Sequence, residues 1–162
     1  VESRMTARER DTLADYGGSL FVAINEMHRN GVKDRQMREF LRRKSAHIDK
    51  LLAKAPRLPA TTLHREFNNA VLEARLAAGN PKGFSFTEKG FASTSRTAGR
   101  FQNAGSRAIV MQIRVKAGTK GISMQKAGVR GEQEIVLSRG TRFRIRSAKQ
   151  VVGKWHVVAD AE

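Results

Sequence analysis

The residues of this chain best suited to chemistry are Glu132 and Glu134, separated by Gln133. On a strand, residues i and i+2 point to one face, so the two carboxylates would project side by side with Gln133 turned away. The context reads as a strand: Ile135, Val136 and Leu137 follow, and Ser138-Arg139-Gly140 turns the chain into Thr141-Arg142-Phe143-Arg144-Ile145-Arg146. Two like charges on one open face cost free energy unless something uses them, which makes the pair a candidate site. The bland alternative is a solvated edge strand. Two upstream features weigh against it, an arginine at position 65 and the hydroxyl run Ser93-Thr94-Ser95.

The elements that must position these groups fall in two stretches. Leu20, Ile24 and Met27 recur at helical spacing, and Asn30-Gly31 stops that segment. Asp34 can cap a second helix, whose stripe of Met37, Phe40, Leu41, Lys44, Ile48, Leu51 and Leu52 reads as core packing through about residue 54. Pro56 and Pro59 end the helical region. Residues 61–65 then read as a short strand, and 67–78 as a helix closed by Gly79-Asn80-Pro81. From 108 to 115 the chain is apolar, with Ile109, Met111, Ile113 and Val115 on one face. Gly118 and Gly121 mark turns before Ile122-Ser123-Met124, and strands at 133–138, 141–147 and 154–159 complete the chain. Helices first and strands later argue for an α+β domain with antiparallel sheets. A doubly wound dinucleotide fold is excluded: strands and helices do not alternate, and no G-x-G-x-x-G follows a strand.

Composition bounds the chemistry further. The 162 residues suit one domain with a proper core. Cysteine is absent, which removes disulfides, thiolate catalysis and Cys-zinc sites. His28, His47, His64 and His156 show no metal-ligand spacing, so no metal is implied. No apolar stretch is long enough to span a bilayer and no membrane partner is expected. Val1 as first residue suggests a domain cut from a longer protein. The formal net charge of +16 is extreme for this size, with half of it, +8, in residues 101–162. Such a surface attracts polyanions, whether nucleic acid, anionic membranes or acidic proteins.

Taken in order, Arg65 on a strand, Ser93-Thr94-Ser95 two residues after Phe91, and Glu132-Gln133-Glu134 before an apolar strand and a glycine turn resemble a known class. This is the arginine / Ser-Thr-Ser / Glu-x-Glu class of mono-ADP-ribosyltransferases, including binary-toxin enzymatic subunits and phage or secreted bacterial effectors. The segment from Tyr16 to Asn25 looks like the family's N-terminal tyrosine / Ile-Asn segment. The gaps, 28 residues from Arg65 to Ser93 and 39 from Ser95 to Glu134, are plausible for it. The resemblance implies an ADP-ribosyltransferase fold: an N-terminal helical lobe packed on two antiparallel β-sheets that form an NAD cleft. It implies one domain over 1–162, with the lobe at 1–58 and a mainly β catalytic core at 59–162.

It also implies roles. NAD is the substrate, and its nicotinamide–ribose bond breaks through an oxocarbenium-like ribosyl cation. Glu134 would stabilise that cation, which exists only near the transition state. Ser93 would hold the carboxylate, with Thr94 and Ser95 bracing the strand. Arg65 matches the arginine that grips NAD phosphate, a task suited to a planar fork that stays charged. Tyr16, Asn25 and Phe101 are further candidates for the NAD site, Phe101 with core packing as the alternative. Glu132 favours an arginine acceptor, because a second carboxylate can orient a guanidinium and help remove its proton. Arg65 is followed by Glu66 where relatives commonly carry glycine.

The expected activity is therefore transfer of ADP-ribose to arginine of a target protein, by an effector delivered into another cell's cytoplasm. An RNA or DNA acceptor draws on the charge and on Arg142, Arg144 and Arg146, which would line one strand face unless they merely blunt an edge. Water as acceptor would make the protein an NAD glycohydrolase. A basic binding module without catalysis is the non-enzymatic alternative. Toxins of this kind are commonly paired with a neutralising protein, and an acidic one would suit this surface.

Overall fold

The computed structural model describes residues 6–9, 19–98, 108–124 and 134–162. The elements bounded within the described residues are, in chain order, α1 (Ser19–Asn30), α2 (Arg35–Lys54), β1 (Thr61–Phe67), α3 (Ala70–Ala77), β2 (Ser85–Glu88), β3 (Ala92–Ser95), β4 (Ile109–Val115), β5 (Gly121–Ser123), β6 (Glu134–Leu137), β7 (Thr141–Val151) and β8 (Lys154–Ala161). They form two compact units: Val1–Arg57 with Glu88–Ser93 and Lys120–Thr141, and Leu58–Thr87 with Thr94–Thr119 and Arg142–Glu162. The division falls inside β3, between Ser93 and Thr94.

In the first unit, α1 ends where glycine permits it, Gly31 adopting φ +80° while its N–H donates to the Met27 carbonyl at 2.9 Å. Asp34 caps α2 by accepting from the Met37 N–H at 2.7 Å. Phe21, Ile24 and Met27 from α1 pack with Leu41, Ile48, Leu51 and Leu52 from α2, joined by Phe91, Ile122, Met124 and Val136. The expected α2 stripe needs correction at its start. Met37 and Phe40 are 49% and 40% exposed, and the buried face runs instead through Leu41, Ser45, Ile48 and Leu52. Met37 lies in the first turn of α2, and Phe40 is rotated about 100° from Leu41, off the buried face. The β5–β6 pair is antiparallel, with Ser123 opposite Ile135.

In the second unit the strand order is β2-β7-β8-β4-β1-β3. Its central pair, β4 and β8, is parallel, with Met111 opposite Val157. The sheet is thus mixed, where the sequence suggested antiparallel pairing throughout. Alternation along β4 buries Ile109, Met111, Ile113 and Val115 as expected. The strand β1 runs two residues beyond its expected end, to Phe67. Helix α3 begins at Ala70 rather than 67, because Asn69 caps it by accepting from the Leu72 N–H at 3.0 Å. Strand β2 was not anticipated; the chain just before it is tied to β7 by Ile145 N–H donating to the Phe84 carbonyl at 2.8 Å. Strand β7 is longer than its pattern because an irregularity between Ile145 and Ser147 breaks the alternation without ending the ladder.

Candidate functional site

Arg65 occupies a row of the second unit in which its neighbours are apolar. Register places Arg65 opposite Met111, and Met111 opposite Val157. Arg65 is only 8% exposed, and its guanidinium carbon lies 4.7 Å from the centre of the Phe67 ring. Residues i and i+2 share a face, so Phe67 is the natural platform for this cation. Holding a guanidinium this way fixes its orientation in advance, which suits recognition of a planar or multiply charged anion. Glu66 points to the opposite face, beside Val110, and its Oε2 is buried with no hydrogen-bond partner among the described residues.

The hydroxyl run is brought to this strand by hydrogen bonding. His64 pairs with Ser95, so β1 and β3 are antiparallel neighbours although 31 residues separate those two positions. Thr94 is fully buried and Ser95 is 3% exposed. The Ser95 hydroxyl accepts from the Thr97 N–H at 3.1 Å, closing a local turn after β3. That bond uses one lone pair of the Ser95 hydroxyl.

Ser93, half-buried, belongs to the first unit, where Asn25 binds the backbone two residues before it. Asn25 Nδ2 donates to the Phe91 carbonyl at 3.0 Å, and its Oδ1 accepts from the Phe91 N–H at 2.7 Å. This two-pronged bond satisfies a backbone unit that is otherwise sealed in the core, Phe91 being 0% exposed. A Cβ on Gly90 would sit 2.5 Å from Asn25 Oδ1, so only glycine leaves room for the clamp. Asn25 keeps one donor and one lone pair for any ligand. Its visible task is to fix the backbone two residues before Ser93. Asn25→Ala is expected to destabilise the protein by roughly 2–4 kcal/mol, since two buried backbone groups lose their partner. Urea unfolding checks this, and Asn25→Asp should recover part of the loss through the carboxylate acceptor.

Glu134 opens β6 and is exposed, while Ile135, Val136 and Leu137 behind it are buried. The Glu134 carbonyl accepts from the Met124 N–H at 3.1 Å, which secures the start of the strand. The turn after β6 is held by a cluster that sequence reading did not find. Arg139 Nε donates to Asp49 Oδ1 at 3.1 Å, with a second bond from Nη2 to Oδ2. The Asp49 carboxylate raises the Arg139 pKa further above its ordinary value. Arg139 Nη1 lies 3.5 Å from His28 Nδ1, and His28 Nε2 lies 2.7 Å from the buried Ser45 hydroxyl. Burial first, then the Arg139 charge, lower the His28 pKa, favouring the neutral ring. With a donor facing Nδ1, the proton belongs on Nε2, which donates to Ser45. No sequence signal marks this set, because its members lie 17 and 90 residues apart.

Glu132, Tyr16 and Phe101 lie outside the described residues. Among the described residues no three histidines or carboxylates gather as a metal site. No described helix is long and apolar enough to cross a membrane.

Comparison with known proteins bears on the chain as a whole. The family model of the ADP-ribosyltransferase exoenzyme matches residues 1–162. Curated proteins yielded no match. Among solved structures, Plx2a, an ADP-ribosyltransferase toxin from Paenibacillus larvae, is 19% identical with a TM-score of 0.76, over 98% of this chain and 87% of that one. C3stau2 from S. aureus, solved with NAD, is 19% identical with a TM-score of 0.74, over 99% and 89% of the two chains. Vis toxin from Vibrio splendidus is 17% identical with a TM-score of 0.70, over 97% and 74%. At such identity these structures establish the fold, an α+β ADP-ribosyltransferase architecture, and the family match over the full length does the rest: this chain belongs to the ADP-ribosyltransferase exoenzyme family.

Proposed function

We propose that this enzyme transfers ADP-ribose from NAD to an arginine side chain of a target protein and releases nicotinamide. The observation that carries the reading is Arg65, a guanidinium 8% exposed and poised over Phe67 on the strand that pairs with the Ser-Thr-Ser strand. A guanidinium held in a fixed orientation on its aromatic platform is suited to a multiply charged anion, and the NAD diphosphate is one. Glu134 then faces the ribose. The bond from ribose C1′ to the nicotinamide nitrogen breaks, its electron pair leaving with nicotinamide, and the carboxylate stabilises the cation left on the sugar. A guanidinium nitrogen of the acceptor bonds to C1′ and gives up one proton, with Glu132 orienting it and receiving that proton. Ser93 holds Glu134 in place. Vis, whose structure was also solved with agmatine, a guanidinium compound, supports the arginine acceptor. As a relative of bacterial toxins, the protein would act after delivery into the cytoplasm of another cell.

Labelled NAD tests the reading. Incubated with agmatine and with a cell lysate, the enzyme should release nicotinamide and mark agmatine and protease-sensitive material. Label that only nuclease removes would move the acceptor to nucleic acid, and label only in free ADP-ribose would make water the acceptor. Glu132→Gln should lower transfer to agmatine at least tenfold more than it lowers nicotinamide release, consistent with a role confined to the acceptor. Equal loss of both activities would remove that role.

A further inference from the structure

One face of the second unit's sheet is apolar; the other carries a charged row at one end and a less polar hollow around His64, Val110, Gln112 and Val158 at the other, and the charged row is built from interior strands. Register sets Arg144 opposite Asp160, and Asp160 opposite Arg114, so β7, β8 and β4 form one charged row. Alternation adds Arg142 beside Arg144, and Arg146 also pairs with Asp160. Each carboxylate is shared: Asp160 with Arg114 and Arg146, Glu162 with Arg142 and Arg144 at 3.8 Å each. The four arginine side chains remain 55–61% exposed. Beside them a hollow of about 350 Å³ is flanked by Lys82 and Lys116, and Lys149 continues the same face opposite His156.

Edge protection does not account for these charges, because β7 lies between β2 and β8 and β8 lies between β7 and β4. Stability accounts for little of this either, since every pair includes an arginine more than half exposed. What the two shared carboxylates do is hold the guanidiniums upright and apart. Each guanidinium has five N–H donors, and of these four side chains Arg146 hydrogen-bonds its carboxylate while the other three stand 3.8 Å from theirs. Strand geometry spaces the cations at about 7 Å along β7 and about 10 Å from β7 across to β4.

We infer that this face docks double-stranded nucleic acid through its phosphate backbone. The chemistry of the face selects among anionic partners. The large exposed apolar residues are Val22, Met37, Phe40, Val71, Val151 and Val152; of these only Val151, at the end of β7, borders the face. A protein partner would call for aromatic or apolar anchors at the centre of the contact, and single strands for rings on which bases stack. A duplex hides its bases and presents two rows of phosphates, which guanidiniums bind without further help. The inference does not rest on the acceptor assigned above, since docking is measured without NAD.

The test is fluorescence anisotropy with a 20-base-pair DNA duplex as probe. The protein should bind with affinity that falls steeply with salt. Replacing Arg142, Arg144 and Arg146 together by glutamine should weaken binding at least tenfold near 100 mM salt and reduce the logarithmic salt slope by about 2–3. Circular dichroism and nicotinamide release should be unchanged, which separates lost docking from lost folding. A control triple, Arg35→Gln, Arg42→Gln and Arg43→Gln on α2, removes the same charge elsewhere and should weaken binding by less than threefold. Equal loss in both triples, no binding by the unmodified protein, or tighter binding of poly-glutamate than of the duplex would each overturn the proposal.

Discussion

Glu134→Gln is expected to lower ADP-ribose transfer by about two to three orders of magnitude, the range found when a single preorganised transition-state group is removed. The substitution keeps volume, deletes one charge and turns one acceptor oxygen into an NH2 donor. Glu134 is exposed at the head of β6, with its anchoring in the buried residues that follow and in its own carbonyl. The thermal midpoint should therefore stay within about 2 °C of the parent. NAD affinity should also change little, because the ribosyl cation develops only during bond breaking. The signature is a fall in kcat with KM for NAD nearly constant, read by steady-state nicotinamide release. A matching rise in KM would assign Glu134 to ground-state binding instead.

Arg65→Lys should act in the opposite sense. It preserves the charge but loses the planar fork and the stacking on Phe67, which lies 4.7 Å from the guanidinium carbon. Loss of one charge-assisted hydrogen bond to a diphosphate, worth about 1.5–3 kcal/mol, would raise the dissociation constant for NAD roughly 10–100-fold. Isothermal calorimetry reads this directly, and kcat at saturating NAD should recover most of its parent value. If NAD affinity is untouched and only the thermal midpoint falls, Arg65 is a packing residue of the sheet and nothing more.

Much of the architecture was legible because periodicity reports burial. The alternation of Ile109, Met111, Ile113 and Val115 specifies one buried strand face, and Asn30-Gly31 with Asp34 specifies one helix end and the next beginning. What could not be read depends on neighbours distant in sequence. Nothing local distinguishes Met37, left exposed, from Leu41, which is buried, because their fates follow from what α2 packs against. Parallel pairing of β4 with β8 is likewise a property of two segments about forty residues apart, invisible in either alone. The candidate site divides in the same way. Ser93, Arg65 and Glu134 were chosen by residue type and order, but the burial of Arg65 over Phe67 and the Asn25–Gly90–Phe91 clamp are tertiary facts. Asn25 and Phe91 each carry an ordinary sequence signature, and only their bonding across 66 residues gives Asn25 a task. The arginines of β7 were legible as a row, whereas their interior position in the sheet was not.

The most direct test of the account is a crystal structure of the Glu134→Gln protein soaked with NAD. The expected result is an intact dinucleotide with its diphosphate within hydrogen-bond reach of Arg65 and its nicotinamide ribose beside residues 93 and 134. A dinucleotide bound elsewhere, with Arg65 still closed over Phe67 and residue 134 turned to bulk water, would contradict it.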